Sequence, residues 1–413
     1  MNSDRLALEY HAAGRPGKIS IQPTKPFATA EDLSLAYTPG VAEPVREIAR
    51  DPTKAYTYTN KGNLVACVTD GSAVLGLGAV GALAGKPVME GKAVLFKRFA
   101  DIDVFDIEVS APSTEAFIET VVNIAPTFGG INLEDIAAPQ CFAIEQALRE
   151  RLEIPVFHDD QHGTAVITCA GLINALELQG KLLEEVEIVI IGAGAAGIAT
   201  TKLLYRLGVP RSSILLVDSV GVIYSGRDGL NVYKEACAID TPKRTLAEAL
   251  VSADVVIGVS GPNLINKAMI RTMARRAIVF ALSNPDPEIS PTEALAANPN
   301  IIMATGRSDF PNQVNNSLVF PFLFRGVLNA GAQQIEDKVL VAAMHALAGL
   351  AREPVPDAVL AAYQVDKLEF GPGYILPTQF DPRLYDTLVP AIEAAVDKDQ
   401  HKGESQSRGK SAK

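Results

Sequence analysis

Short apolar runs recur along the chain, separated by stretches long enough to hold a helix. In the second half they are Ile188-Val189-Ile190-Ile191, Ile214-Leu215-Leu216-Val217, Asp254 to Val259, Ala277 to Leu282 and Ile301 to Ala304. Most run into Gly, Asp, Ser-Asn-Pro or Thr-Gly, the residues that end strands and make turns. In the first half, Asn63 to Val68, Lys92 to Lys97 (KAVLFK), Asp103 to Val109 and Ile154 to Phe157 read as strands. Helical spacing marks Glu43 to Arg50, Ser113 to Asn123 with its Ser/Thr cap and early acid, Cys141 to Leu152, Ala165 to about Leu178, and Ile335 to Leu350. Strands alternating with helices predict an α/β fold with parallel or mostly parallel sheets covered on both faces. Two domains are expected, an N-terminal mostly parallel α/β domain over residues 1–161 and a Rossmann-type domain with C-terminal helices over 162–396. Residues 1 to about 30, polar and rich in Gly and Pro, predict irregular structure. The charged Ser/Gly-rich segment 397–413 predicts a disordered tail.

One stretch organises the second half. Glu187 to Gly208, EIVIIGAGAAGIATTKLLYRLG, is a short apolar run broken by Gly192-x-Gly194-x-x-Gly197 and followed by an uninterrupted helical pattern. This is the strand, tight turn and helix of a dinucleotide-binding unit. One glycine permits the turn, one lets backbone approach a pyrophosphate, and one lets helix pack on strand. Gly192, Gly194, Ala195, Ala196 and Gly197 are the candidate phosphate-binding residues, at a helix N-terminus whose N–H groups favour anions. Asp218 closes the next apolar run about 20 residues later, where an acid meets the ribose hydroxyls. Gly76-x-Gly78-x-x-Gly81 repeats the glycine spacing, but Gly85, Pro87 and Gly91 follow it, so no long helix is expected there. It predicts a tight loop that could line the cofactor site from the other domain.

At 413 residues the chain can bury two real cores, and 48% hydrophobic with 21% charged residues is an ordinary globular composition. A net charge of -11 leaves no basic face for nucleic acid. No apolar run reaches the ~20 residues of a membrane span, and the first residues lack a secretory signal. Cys67, Cys141, Cys169 and Cys237 are scattered without a CxxC. That predicts buried thiols in a reducing, cytoplasmic protein.

The candidate chemistry lies in the acids. Glu134-Asp135 sit beside an apolar stretch, and Asp159-Asp160 sit at the end of a strand, where α/β proteins place ligands. Each pair could be a cap or a solvated turn. If both converge, they need a cation between them, and an all-oxygen set favours Mg²⁺ or Mn²⁺. Lys92, entering a buried strand, would lose hydration and have its pKa lowered toward that of a base; the alternative is a snorkelling surface lysine. Tyr37, in a Pro/Gly turn, is either a phenolic acid or a packed aromatic. Asn284, Asn315 and Asn316 could hold carboxylates and hydroxyls or cap their turns. His158 and His162 read as local hydrogen bonders, and Arg98, near Asp101 and Asp103, as a structural ion pair.

Taken together these segments resemble the malic enzymes, in particular the compact bacterial type, along nearly the whole chain. The carrying segments are SLAYTPGVAEPV (34–45), VLGLGAVG (74–81), VMEGKAVLFKRFADIDVFDIEV (88–109), INLEDI (131–136), VFHDDQHGTA (156–165), IIGAGAAG (190–197), VDSVGVI (217–223), ALSNP (281–285) and QVNNSLVFP (313–321). The resemblance implies oxidative decarboxylation of (S)-malate to pyruvate and CO₂ with reduction of NAD(P)⁺. It implies Tyr37 as general acid, Lys92 as general base, and Asp159 as the carboxylate that orients the lysine. Glu134, Asp135 and Asp160 become metal ligands for Mg²⁺ or Mn²⁺. Asn284 and Asn316 become malate-binding amides, with Asn315 adjacent and Asn284 also near the cofactor. A homodimer or higher even homo-oligomer is implied. Malolactic or oxaloacetate-decarboxylating chemistry on the same scaffold, or a catalytically silent nucleotide sensor, are the competing outcomes.

The chain departs from relatives at Ala79, at Val220 in place of a lysine, and at Ser72-Ala73, where the large animal enzymes carry an arginine. Asp218 with Val220 favours NAD, because a carboxylate accepts from a ribose 2′-OH and repels a 2′-phosphate. A nearby cation, with Arg227 as the candidate, would instead admit NADP.

Overall fold

The computed structural model describes residues 3–397; the expected disordered tail lies, apart from Asp397, outside the described residues. The chain forms two sheets. The first holds β1 (Leu64–Thr69), β2 (Asp103–Glu108), β3 (Gly130–Leu133) and β4 (Val156–His158), all parallel, in the order β2-β1-β3-β4. The second holds β5 (Ile188–Ile191), β6 (Ile214–Asp218), β7 (Gly221–Val222), β8 (Val255–Gly258), β9 (Ile278–Ala281) and β10 (Ile302–Thr305). Its order is β10-β9-β8-β5-β6-β7, parallel except for the β6–β7 pair. Strand order reverses between β5 and β8. Ligands of open α/β sheets sit at the carboxyl ends of strands at such a point.

Strand alternation divides the core. Ile188 and Ile190 join one large apolar cluster that runs without a break from the second sheet to the first. Val189 and Ile191 face a smaller cluster on the far side of the second sheet, with Leu215, Val217, Val256 and Val279. The two sheets are therefore fused through a shared interior, with a cleft left open between their carboxyl ends.

Two expectations about the first half are corrected. Lys92 to Lys97 is not a strand, and a long helix does follow the 76–81 glycines: Ala82–Ala100 is one helix of 19 residues with Pro87 inside it. Its buried residues Gly85, Met89, Lys92, Ala93, Phe96 and Ala100 recur at the helical period. Packing against β1 and β2 outweighs the weak helix propensity of two glycines and a proline. The N-terminal segment is not wholly irregular either, since Ser3–Ala12 is a helix.

An aromatic cluster clamps this helix to the rest. Phe96 packs edge-on against Phe320 and Phe324, with ring centroids 4.8 and 5.3 Å apart. Phe324 meets Phe157 of β4 at 5.8 Å. Phe320 and Phe324 lie on the helix Phe320–Asn329, which follows the second sheet and braces the first. Phe324 is fully buried. Its replacement by alanine is expected to cost about 3–5 kcal/mol of stability. That would appear as a lowered urea midpoint, and an unchanged midpoint would show the clamp to be dispensable.

Candidate active site

Adjacent parallel strands bring the two acid pairs together. Leu133 at the end of β3 is in register with His158 at the end of β4, so Glu134-Asp135 and Asp159-Asp160 leave the sheet side by side. Asp135 turns the chain with a left-handed φ of 54°, and its backbone N–H donates to Asp160 Oδ2 at 2.8 Å. Asp159–Gly163 then forms a wide π-type turn, a geometry frequent at functional sites. Gly163 is required there, because a Cβ would stand 1.9 Å from Asp159 Oδ1. As a result, Glu134, Asp135 and Asp160 each present a carboxylate oxygen within 4.8 Å of the others.

Lys92 reaches the same point from the helix. Its ammonium donates to Asp159 Oδ2, stands 3.0 Å from Glu134 Oε1, and lies 4.4 Å above the Phe320 ring. The lysine is buried, so it is not a snorkelling surface residue. The expected downward pKa shift is also corrected. Burial alone would lower it, but Asp159, Glu134 and Asp160 more than offset that and raise it above the ordinary lysine value. Burial pushes the Asp159 carboxyl up to about 6 against the pull of Lys92. Glu134 is raised well above its usual range by burial, with further pressure from the neighbouring acids, although Lys92 opposes it. Excess negative charge thus remains in a site built of oxygen donors. A hard divalent cation fits it, and Glu134, Asp135 and Asp160 are the residues that would hold one.

One cavity of about 410 Å³ joins this cluster to the second sheet. Lys92, Glu134, Asp135 and Asp160 line it together with Ala196, Asn284, Asn315 and Asn316. Gly76 also lines it, and a Cβ there would stand 2.6 Å from the Asn284 carbonyl oxygen, so the glycine loop does face the cleft from the first half. The dinucleotide turn has the expected division of labour. A Cβ on Gly197 would meet the Gly192 carbonyl at 1.8 Å, whereas one on Gly194 would meet nothing within 4 Å, the open side a phosphate needs. Ala195 and Ala196 begin the helix Ala195–Arg206.

Tyr37 is placed elsewhere. It does not line the cavity, it is 68% exposed, and the helices on either side of it, Ala30–Ala36 and Ala42–Arg50, bury none of their residues. His162 is the expected hydrogen bonder, 2.7 Å from Glu145. Among the described residues neither ring nitrogen of His158 has a hydrogen-bond partner, and burial pushes its pKa down. Arg98 lies against the Phe99 ring; the ion pairs with Asp101 and Asp103 belong to Lys97.

Asp218 is not the free carboxylate on which the expectation of NAD rested. Arg227 grips both of its oxygens and Lys234 donates to Oδ2 at 2.8 Å. Burial would raise its pKa, but these bonds and the Val220 N–H hold it well below the usual carboxylate range. Spacing gave no sign of Lys234, nor of three buried supports. Asn132 donates to Glu134 at 3.0 Å, and Glu145 accepts from Gln161 at 3.0 Å. Glu288 accepts from the Ser260 and Ser283 N–H groups, tying together two loops that line the cavity. The only available sequence cue was polarity next to an apolar run, which surface residues share.

Comparison with known proteins agrees with this geometry. The family model "Malic enzyme, N-terminal domain" matches residues 16–115 and 110–149, and "Malic enzyme, NAD binding domain" matches 161–362. An NADP-dependent malic enzyme of Halomonas elongata is 60% identical over 95% of this chain and 93% of its own length. A protein of the same name from Rhizobium meliloti is 56% identical over 94% of this chain, which spans only 51% of that longer protein. An NAD-dependent malic enzyme from the same organism is 50% identical over 95% of this chain and 51% of its own. The crystal structure of malic enzyme from Pyrococcus horikoshii superposes with a TM-score of 0.85 at 46% identity, covering 95% of this chain and 90% of that one. With both domain models matched and such identity over nearly its full length, the chain belongs to the malic enzyme family.

Proposed function

We propose that this chain oxidatively decarboxylates (S)-malate to pyruvate and CO₂ while reducing NAD(P)⁺, with NADP preferred. The observation that carries this reading is the buried Lys92, held by Asp159 and Glu134 at the edge of a cavity that Asn284, Asn315 and Asn316 also line. The reading divides a metal-holding domain from a cofactor-holding one at residues 161–162, and the family model that starts at residue 161 supports it. NADP is favoured by the compensated charge of Asp218 and by the names of the relatives from Halomonas elongata and Rhizobium meliloti.

Glu134, Asp135 and Asp160 would hold a divalent ion, which would supply Lewis-acid stabilisation of developing negative charge. The chain itself handles the protons. Lys92, an ammonium in this arrangement, takes the C2 hydroxyl proton as it passes one of its own to Asp159. Asn284 and Asn316 orient the malate carboxylates, and the closed apolar backing of Phe320 keeps bulk water from Lys92. The general acid at C3 is Tyr37, which requires the 30–50 segment to face a cleft.

That segment supports an even homo-oligomer. Leu33, Leu35, Tyr37, Val41 and Val45 are all exposed apolar or aromatic positions on, or capping, two short helices that bury none of their residues. A second copy of the chain is the occupant this reading assigns to that face. Among the described residues no helix is long and apolar enough to cross a membrane.

Lys92→Ala is expected to lower kcat about 10²–10⁴-fold with cofactor affinity nearly unchanged, read as malate-dependent absorbance at 340 nm and a cofactor titration. Normal turnover in that variant would remove Lys92 from proton transfer. Chelation with EDTA is expected to abolish activity and Mn²⁺ or Mg²⁺ to restore it; full activity in the chelated protein would overturn the metal assignment. Light scattering is expected to give an even multiple of the 43.8 kDa chain, and Leu35→Asp with Val45→Asp to shift it toward the monomer. A monomeric wild type would sink the oligomer.

A further inference from the structure

Asp218 ends β6, directly beside the glycine turn, because Gly192 N–H donates to the Val217 carbonyl at 2.8 Å. An acid at this place ordinarily accepts from the ribose 2′-OH and excludes a 2′-phosphate. Here its accepting capacity is already used. A carboxylate offers about four lone-pair sites. Oδ1 accepts from the Val220 N–H and from Arg227 Nη1, each at 3.0 Å, and Oδ2 accepts from Arg227 Nη2 and Lys234 Nζ. No site is left for a hydroxyl. One carboxylate against two cations also leaves the cluster net positive.

The two cations are not equivalent. Arg227 Nη1 also donates to the carbonyls of Gly221 and Val222 at 3.1 and 3.0 Å, so this guanidinium is built into the β6–β7 hairpin. Its side chain is only 10% exposed. Lys234 has one acceptor among the described residues, Asp218 Oδ2, and its side chain is 25% exposed. An ammonium carries three donors, so two remain to be directed outward. The turn that carries Lys234 is fixed: Asn231 Oδ1 accepts from the Tyr233 and Lys234 N–H groups, and Tyr233 packs on Phe142 with centroids 4.4 Å apart.

The geometry points to Lys234 as the residue that reads the 2′-phosphate of NADP, and to Asp218 and Arg227 as positioning residues that hold its ammonium at the ribose position. This deepens the proposed nicotinamide-dependent activity and depends on it. Asp218 therefore acts opposite to its usual sense, promoting the phosphorylated cofactor by presenting a cation.

The test has a binding arm and a kinetic arm, both on the full chain. Calorimetry with 2′-AMP and 5′-AMP, without malate or metal, is expected to show tighter binding of 2′-AMP by wild type. Lys234→Ala is expected to weaken 2′-AMP roughly 10- to 100-fold and leave 5′-AMP within about twofold. In the Mn²⁺-loaded enzyme, Lys234→Ala and Asp218→Asn should both raise KM for NADP, with kcat and the NAD parameters little changed, while Lys234→Arg should restore most of the loss. The retained NAD activity shows that the variants fold. If Asp218→Asn improves NADP and impairs NAD, the acid reads the ribose in the ordinary way and the inference is overturned. Equal losses with both nucleotides in Lys234→Ala would also overturn it, by showing a merely structural role. Wild-type protein that reduces cofactor with malate but binds 2′-AMP no tighter than 5′-AMP would sink this inference and leave the proposed activity standing. No malate-dependent reduction of either cofactor would sink the activity itself.

Discussion

A buried lysine surrounded by more carboxylates than it can neutralise is the constraint on which this molecule turns. Lys92 answers Asp159 directly and Glu134 at 3.0 Å, yet Asp135 and Asp160 stand at the same place. Burying that much like charge is costly unless it is compensated. The fold accepts the cost because several elements each fix one member of the cluster. β3 and β4 deliver the acids from adjacent strand ends, the helix Ala82–Ala100 delivers the lysine, and the helix Phe320–Asn329 delivers the ring beneath it. None can shift alone, since they share one continuous apolar interior.

The same interior explains how a reaction needing two kinds of group can occupy one cleft. The acid cluster leaves the strand ends of the first sheet with Lys92 on the helix packed against it, whereas Asn284 and the glycine turn follow strands of the second. Each sheet contributes its carboxyl end, where loops are free to vary without disturbing strand pairing. Glu288, buried beneath the second wall, holds the loops after β8 and β9 in a fixed relation, so that wall is a surface and not a pair of independent loops. The Gly76 backbone against the Asn284 carbonyl does the equivalent across the seam, in space too small for any side chain.

Charge compensation decides the cofactor end as well. Asp218 looks like a ribose acceptor when only its own strand is considered. In three dimensions Arg227 and Lys234 arrive from the following loop and turn the site's charge from negative to positive. The cations lie nine and sixteen residues downstream, separated by a hairpin and a turn. Nothing in the residue spacing fixes which of the many charged side chains in that interval returns to Asp218.

What the chain determines by itself is whatever depends on local periodicity and turn chemistry. Eight of the ten strands were legible for that reason, β3 and β7 being the two not expected, as was the glycine fingerprint at 192–197. The two acid pairs were visible as candidates, but each alone could equally have capped a helix or faced solvent, and only their convergence from adjacent strand ends separates the readings. Tertiary structure alone decided the rest. Packing made residues 82–100 a helix against their own propensities, because the gain from burying one face outweighs the weak preferences of Gly85, Pro87 and Gly91. It raised the Lys92 pKa where burial alone would have lowered it, since three carboxylates from distant positions surround the ammonium. It left Tyr37 on an exposed face that no described part of the same chain covers. Short-range pattern sets the elements; the sign of a charge interaction depends on which distant side chains come within a few ångströms, and only the folded chain fixes that.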